Sequence, residues 1–94
     1  MIMKPSIGRV VQSLSGRDAG TFYLVIDKKG DRVFLVDGKT HKIKNPKIKN
    51  IKHIAITEES LPSVTETILS GKPFGNGKLK KILNSIAVKT SRRN

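Results

Sequence analysis

The sequence predicts a mainly β protein: a small five-stranded barrel followed by a short C-terminal helical extension. Three observations lead there. Residues 10–14, 22–26 and 33–36 are apolar runs of strand length, rich in β-branched and aromatic residues. Turn chemistry separates them, first Ser15-Gly16-Arg17-Asp18-Ala19-Gly20 and then Lys28-Lys29-Gly30-Asp31. Beyond residue 58 the apolar spacing changes to three and four, the period of a helix.

In the first run, Val10, Gln12 and Leu14 share one face while Arg9, Val11 and Ser13 share the other. In the second, Phe22, Leu24 and Ile26 alternate with Tyr23 and Val25; in the third, Val33 and Leu35 oppose Phe34 and Val36. Both faces are therefore apolar, more than a sheet with one wet face shows. A barrel buries the inner face, and something else must cover part of the outer one. Gly16 and Gly20 allow the positive φ that folds the intervening loop back, and Gly30 suits a hairpin.

Asp37-Gly38 signals another hairpin. Residues 40–44 alternate around Ile43 and read as a fourth strand, Pro46 as a bend at the sheet edge, and residues 51–56 as a fifth strand. Ser60 is placed to N-cap a helix whose stripe is Leu61, Val64 and Ile68, with Gly71 as its stop. Leu79, Ile82, Leu83 and Ile86 then mark an amphipathic helix with Lys78, Lys80, Lys81 and Lys89 on its polar face. Such a short helix is marginal alone, so its stripe is expected to dock on the outer apolar face. Residues 90–94 read as a frayed basic tail. The division expected is 1–58 for the barrel and 59–94 for the extension.

Charge restricts the partners. The chain has 94 residues, 19 Lys and Arg, 7 Asp and Glu, and a net charge of +12. A surface that positive repels itself unless a polyanion neutralises it; nucleic acid comes first and an anionic membrane second. Residues 1–40 contain seven cations against four carboxylates, and residues 41–94 twelve against three, so the partner surface is expected mainly in the second half. Cysteine is absent, which excludes disulfides, thiolate nucleophiles and zinc ribbons and agrees with a reducing cytoplasm. The N-terminal residues contain no apolar secretory stretch, and no run is long enough to span a membrane.

The leading candidate site is a lysine strip, Lys42, Lys44, Lys47, Lys49 and Lys52, with the amides Asn45 and Asn50. Spacing of two puts Lys42 with Lys44, and Lys47 with Lys49, on one strand face, with Ile43 and Ile48 turned inward. Ammonium groups in a row suit phosphates, because each contact releases a condensed counterion. The alternative is a solvated edge, since lysine also blunts sheet edges. His53 suits stacking on a base or bonding to a ribose, and equally suits a half-buried structural role. His41 is expected to be simply exposed. The loop around Arg17 offers backbone amides, or exists for the turn alone. Lys78 and Lys81 add cations from the last helix. Gly75-Asn76-Gly77-Lys78 lacks the spacing of a phosphate-binding loop, because Lys72 and Leu79 stand where Gly and Ser or Thr are needed. Two histidines without a carboxylate at ligand spacing make no metal site. Neither histidine has a Ser or Asp partner for catalysis, so no enzyme and no cofactor are expected.

The same residues carry a resemblance. Gly8-x-Val10-Val11, then Ser15-Gly16-Arg17-Asp18-Ala19-Gly20 and the apolar run to Ile26, resembles a KOW motif, which marks small SH3-like barrels in ribosomal proteins and transcription elongation factors. Asn45-Pro46-Lys47-Ile48-Lys49-Asn50-Ile51-Lys52-His53-Ile54 is similar to the Pro-Lys-x-Lys-Asn-x-Lys-His-apolar segment of bacterial KOW-domain RNA-binding proteins, relatives of archaeal and eukaryotic large-subunit ribosomal proteins. The two segments cover about half of the chain, in the expected order. The resemblance implies an SH3-like barrel of KOW type, RNA binding and an association with the ribosome and translation. It also puts Arg17 under suspicion as an RNA contact.

The function expected is thus that of a non-catalytic, monomeric, cytoplasmic RNA-binding protein, with ribosomal RNA as its partner. With few aromatic residues, backbone and shape recognition of folded RNA is favoured over base stacking. The alternative is a protein-interaction module of the transcription or translation machinery, docking through the outer apolar face of the sheet. A membrane-surface protein is the weaker third reading.

Overall fold

The computed structural model describes residues 5–91. Five strands, β1 (Arg9–Ser13), β2 (Phe22–Lys29), β3 (Arg32–Val36), β4 (Lys47–Asn50) and β5 (Ile54–Ser60), form one antiparallel sheet in the order β4-β3-β2-β1-β5. A short 3-10 turn, Ile51–His53, separates β4 from β5, and two helices follow, α1 (Pro62–Leu69) and α2 (Asn76–Ser91). The three-strand meander and the final helix lie where the apolar pattern puts them.

Period-two alternation decides the packing. Tyr23, Val25, Val33, Leu35 and Val11 cluster with Ile54 on the inner face. Val10, Leu24, Ile26 and Val36 form the outer face, and Leu79, Leu83 and Ile86 of α2 pack on it. Leu61, Val64 and Ile68 bring α1 against the same cluster. Each buried branched side chain contributes about 1.5–3 kcal/mol, which is what makes so short a helix stable here. Ile26 sits in a bulge: Val25 pairs with Leu35 but Asp27 with Phe34. The extra residue sharpens the local twist and returns Asp27 to solvent.

The sheet is not closed into a barrel. β4 and β5 are its two edges, and the link between them coils as a 3-10 turn instead of forming a ladder. Asn50 caps that turn by accepting the Lys52 N–H at 3.0 Å.

The fourth strand is not at residues 40–44, which belong to a loop; it runs from Lys47 to Asn50. The backbone groups of the loop are engaged elsewhere. The Asp37 carboxylate accepts the N–H groups of Lys39 and His41, each at 2.9 Å, and the Ile43 N–H donates to Asn76 Oδ1 at 2.9 Å. Pro46 ends this segment just before the edge strand begins. The fifth strand starts at Ile54 and continues to Ser60, so Ser60 is not a helix cap. Leu61 takes the N-cap position without a side-chain bond, and Pro62 enters the first turn, where its missing N–H is harmless. Thr90 and Ser91 are helical, and residues 92–94 of the expected basic tail lie outside the described residues.

Gly38 locks the loop to α2. Its φ is +77°, and a Cβ there would run into the Asn76 carbonyl and come within 3.0 Å of the Lys80 nitrogen. Among the described residues no helix is long and apolar enough to cross a membrane.

Candidate nucleic-acid interface

Asp18 organises one side of the molecule. Its Oδ1 accepts hydrogen bonds from Ser13 Oγ at 3.0 Å and Lys49 Nζ at 2.8 Å, and its Oδ2 accepts one from the Tyr23 hydroxyl at 2.7 Å. Lys47 Nζ lies 3.4 Å from Oδ2. Burial alone would push the Asp18 carboxyl up. The bonds from Lys49, Tyr23 and Ser13, with the charge of Lys47, more than reverse this and leave it well below the usual carboxylate range. Tyr23 moves the other way: burial, then the bond to Asp18 and the charges of Asp18 and Asp37, push its hydroxyl above its ordinary value.

This node changes the lysine strip. Lys47 and Lys49 do share a strand face, but that face turns toward the 15–20 loop, and Ile48 is the exposed residue at 52%. Lys49 donates to Ser13 Oγ, Ser15 O and Asp18 Oδ1 at 2.7, 2.9 and 2.8 Å. An ammonium has three protons, so Lys49 has none left for a phosphate, and its side chain is only 10% exposed. It is a strut that ties β4 to the loop. Lys47 is partly neutralised but remains 31% exposed.

The other expected residues are dispersed. Lys42 and Lys44 are exposed on the 37–46 loop, not on one strand face. The Asn50 side chain accepts from the backbone of Lys52, while Lys52 itself projects into solvent from the 3-10 turn. His53 is half-buried, and its carbonyl accepts the Leu14 N–H at 2.8 Å. Lys78 Nζ lies 5.4 Å above the Phe74 ring, and Lys81 is exposed on α2.

A different group of cations does come together. One cleft of about 310 Å³ is lined by Arg17, Asp18, Tyr23, His41 and Lys47. A second, of about 290 Å³, lies against α2 and is lined by Lys39, Lys80 and Asn84. Thr21, Asp37 and Thr40 line both, so the two clefts adjoin. The Asp37 carboxylate is turned back to its own loop through the N–H bonds described above. The pairing of Lys39 with Lys80 is not legible in the sequence, because the two are 41 residues apart and belong to different elements; the seat of Gly38 against α2 and the bond from the Ile43 N–H to Asn76 bring those elements together. His41 was missed as well: it is half-buried, with its ring centroid 6.0 Å from that of Tyr23.

The outer sheet face that would serve a protein-interaction module is occupied by α1 and α2. Among the described residues no group of three or more His, Asp and Glu could hold a metal ion. Compared with known protein families and with curated proteins, the chain matches none.

Proposed function

We propose that the chain is a non-catalytic RNA-binding protein that meets folded RNA, ribosomal RNA in the first instance, with cations presented from a small β scaffold in the cytoplasm. The observation that carries this reading is the meeting of Arg17, Lys39, Lys47 and Lys80 around two adjoining clefts in a chain of net charge +12. Two loops, the edge strand β4 and a helix hold these groups in a fixed array, which suits the spaced phosphates of a structured backbone more than a lone anion. The antiparallel strand order and the core on the inner face support an SH3-like unit of KOW type, as does the glycine-bounded loop between β1 and β2.

The test is equilibrium binding of the full chain to fragments of ribosomal RNA across a salt series. Arg17→Ala, Lys39→Ala and Lys80→Ala together should weaken binding to all fragments and flatten the log–log salt dependence by roughly 0.7–0.9 per cation removed. No affinity at low salt, or a triple variant that binds like the parent, overturns the proposal.

A further inference from the structure

A third cleft, of about 580 Å³, opens between the end of α1, the linker to α2 and the 37–46 loop. This is within the range of sites that enclose small ligands, roughly 300–1,000 Å³. Its floor is apolar, with Ile43, Ile68, Pro73 and Phe74. Lys44 and Lys72 line it, and no carboxylate does. Lys78 is not part of the lining, but its ammonium lies over the Phe74 ring, 5.4 Å from the centroid. Asn76 also lines the cleft. Its Oδ1 already accepts the Ile43 N–H, which fixes the amide and leaves Nδ2, a donor, for a ligand.

We infer that this cleft seats one unstacked nucleotide of the bound RNA, with its base on Phe74 and Pro73 and its phosphates on Lys44 and Lys72. The inference rests on the RNA-binding reading. A flat apolar body with anionic groups at its side is what the lining complements, and a nucleotide has both parts. The fixed Nδ2 donor favours a base that turns a carbonyl or ring-nitrogen acceptor toward α2. An acidic peptide with an apolar side chain meets part of the same chemistry. The nucleotide is favoured because the other exposed cations of the chain also suit phosphates, and because the 37–46 loop lines both this cleft, through Ile43 and Lys44, and the cleft of Lys80, through Lys39 and Thr40. The seat also gives the protein a means of telling looped RNA from continuous duplex, which phosphate contacts alone do not supply.

The first arm of the test is an NMR titration of the full chain with nucleoside monophosphates and, as control, ribose 5-phosphate. The nucleotides should shift the Ile43 and Ile68 methyls and the Phe74 ring, and ribose 5-phosphate should not. In the second arm, Phe74→Leu should lower affinity for an RNA hairpin with an unpaired loop about tenfold relative to a continuous duplex. Lys44→Glu with Lys72→Glu, both exposed positions, should have the same selective effect without touching the core. Shifts confined to other residues, or equal losses for hairpin and duplex in both variants, overturn the nucleotide seat while RNA binding stands. If the parent chain binds no RNA, the broader reading fails, and the mononucleotide arm alone decides the cleft. An acidic peptide that shifts these resonances where nucleotides do not also overturns the inference, in favour of a protein ligand.

Discussion

Lys49 and Asp18, 31 positions apart, meet at 2.8 Å between a sheet edge and the loop that joins β1 to β2. The contact fixes that loop against β4, and it also places the Lys47 ammonium and Arg17 on the rim of one cleft. A residue with the appearance of a phosphate ligand is in fact a brace for its neighbours.

Replacing Lys49 by Met should therefore cost stability, not RNA contacts. The carboxylate of Asp18 would stay largely buried, 14% exposed, without its main partner, and a loss of about 3 kcal/mol is expected. Adding Asp18→Asn should recover part of it, because the uncompensated charge disappears. Urea unfolding of the single and double variants measures both; a stable Lys49→Met variant that no longer binds RNA would make Lys49 an interface residue.

The same node predicts two pH limbs. The folded-state pKa of Asp18 lies below its unfolded value, so its contribution is full above the ordinary Asp range, near 3.9, and is lost as pH falls beneath it. Tyr23 is shifted upward, so its contribution is full below about 10 and is lost as pH rises past that value. Asp18→Asn should flatten the acid limb and Tyr23→Phe the alkaline one. Thermal melts across pH that leave both limbs unchanged would contradict the assignment.

Gly38→Ala combines a left-handed backbone with a collision against α2. A loss of at least about 2 kcal/mol is expected. The damage should spread to the 37–46 loop, visible as faster amide exchange at Ile43, whose N–H reaches Asn76.

Leu83→Ala removes a side chain, 4% exposed, from the face of α2 that packs on the sheet. It should cost about 2–5 kcal/mol, and its partial unfolding should uncover the outer sheet face and promote self-association, measurable by light scattering at rising concentration. A variant as stable as the parent would mean that the helix is not what covers this face.

Much of the architecture was legible in the residues. Alternation in residues 22–26 and 33–36 revealed two apolar faces, and the spacing of Leu79, Leu83 and Ile86 revealed the helix that covers one of them. These signals are local: each depends on the period of a single element. The fourth strand was misplaced because residues 42–45 and 47–50 have the same tetrapeptide, Lys-Ile-Lys-Asn. Identical local propensity cannot choose between them. Asp37 and Asn76 choose, by engaging the backbone of the loop that contains the first copy. The direction of the second copy was equally hidden, since nothing in its spacing tells which side Asp18 will occupy.

The sequence by itself determined a basic, cysteine-free, mainly β chain with a two-faced meander and a docking helix, because charge and periodicity are properties of residues and short segments. Tertiary structure alone decided that the sheet stays open, that Lys49 lies inside an ion-pair node, and that Lys39 and Lys80 line one cleft. Those outcomes depend on which distant groups satisfy one another's charge and hydrogen bonds, and no single segment of the chain encodes that pairing.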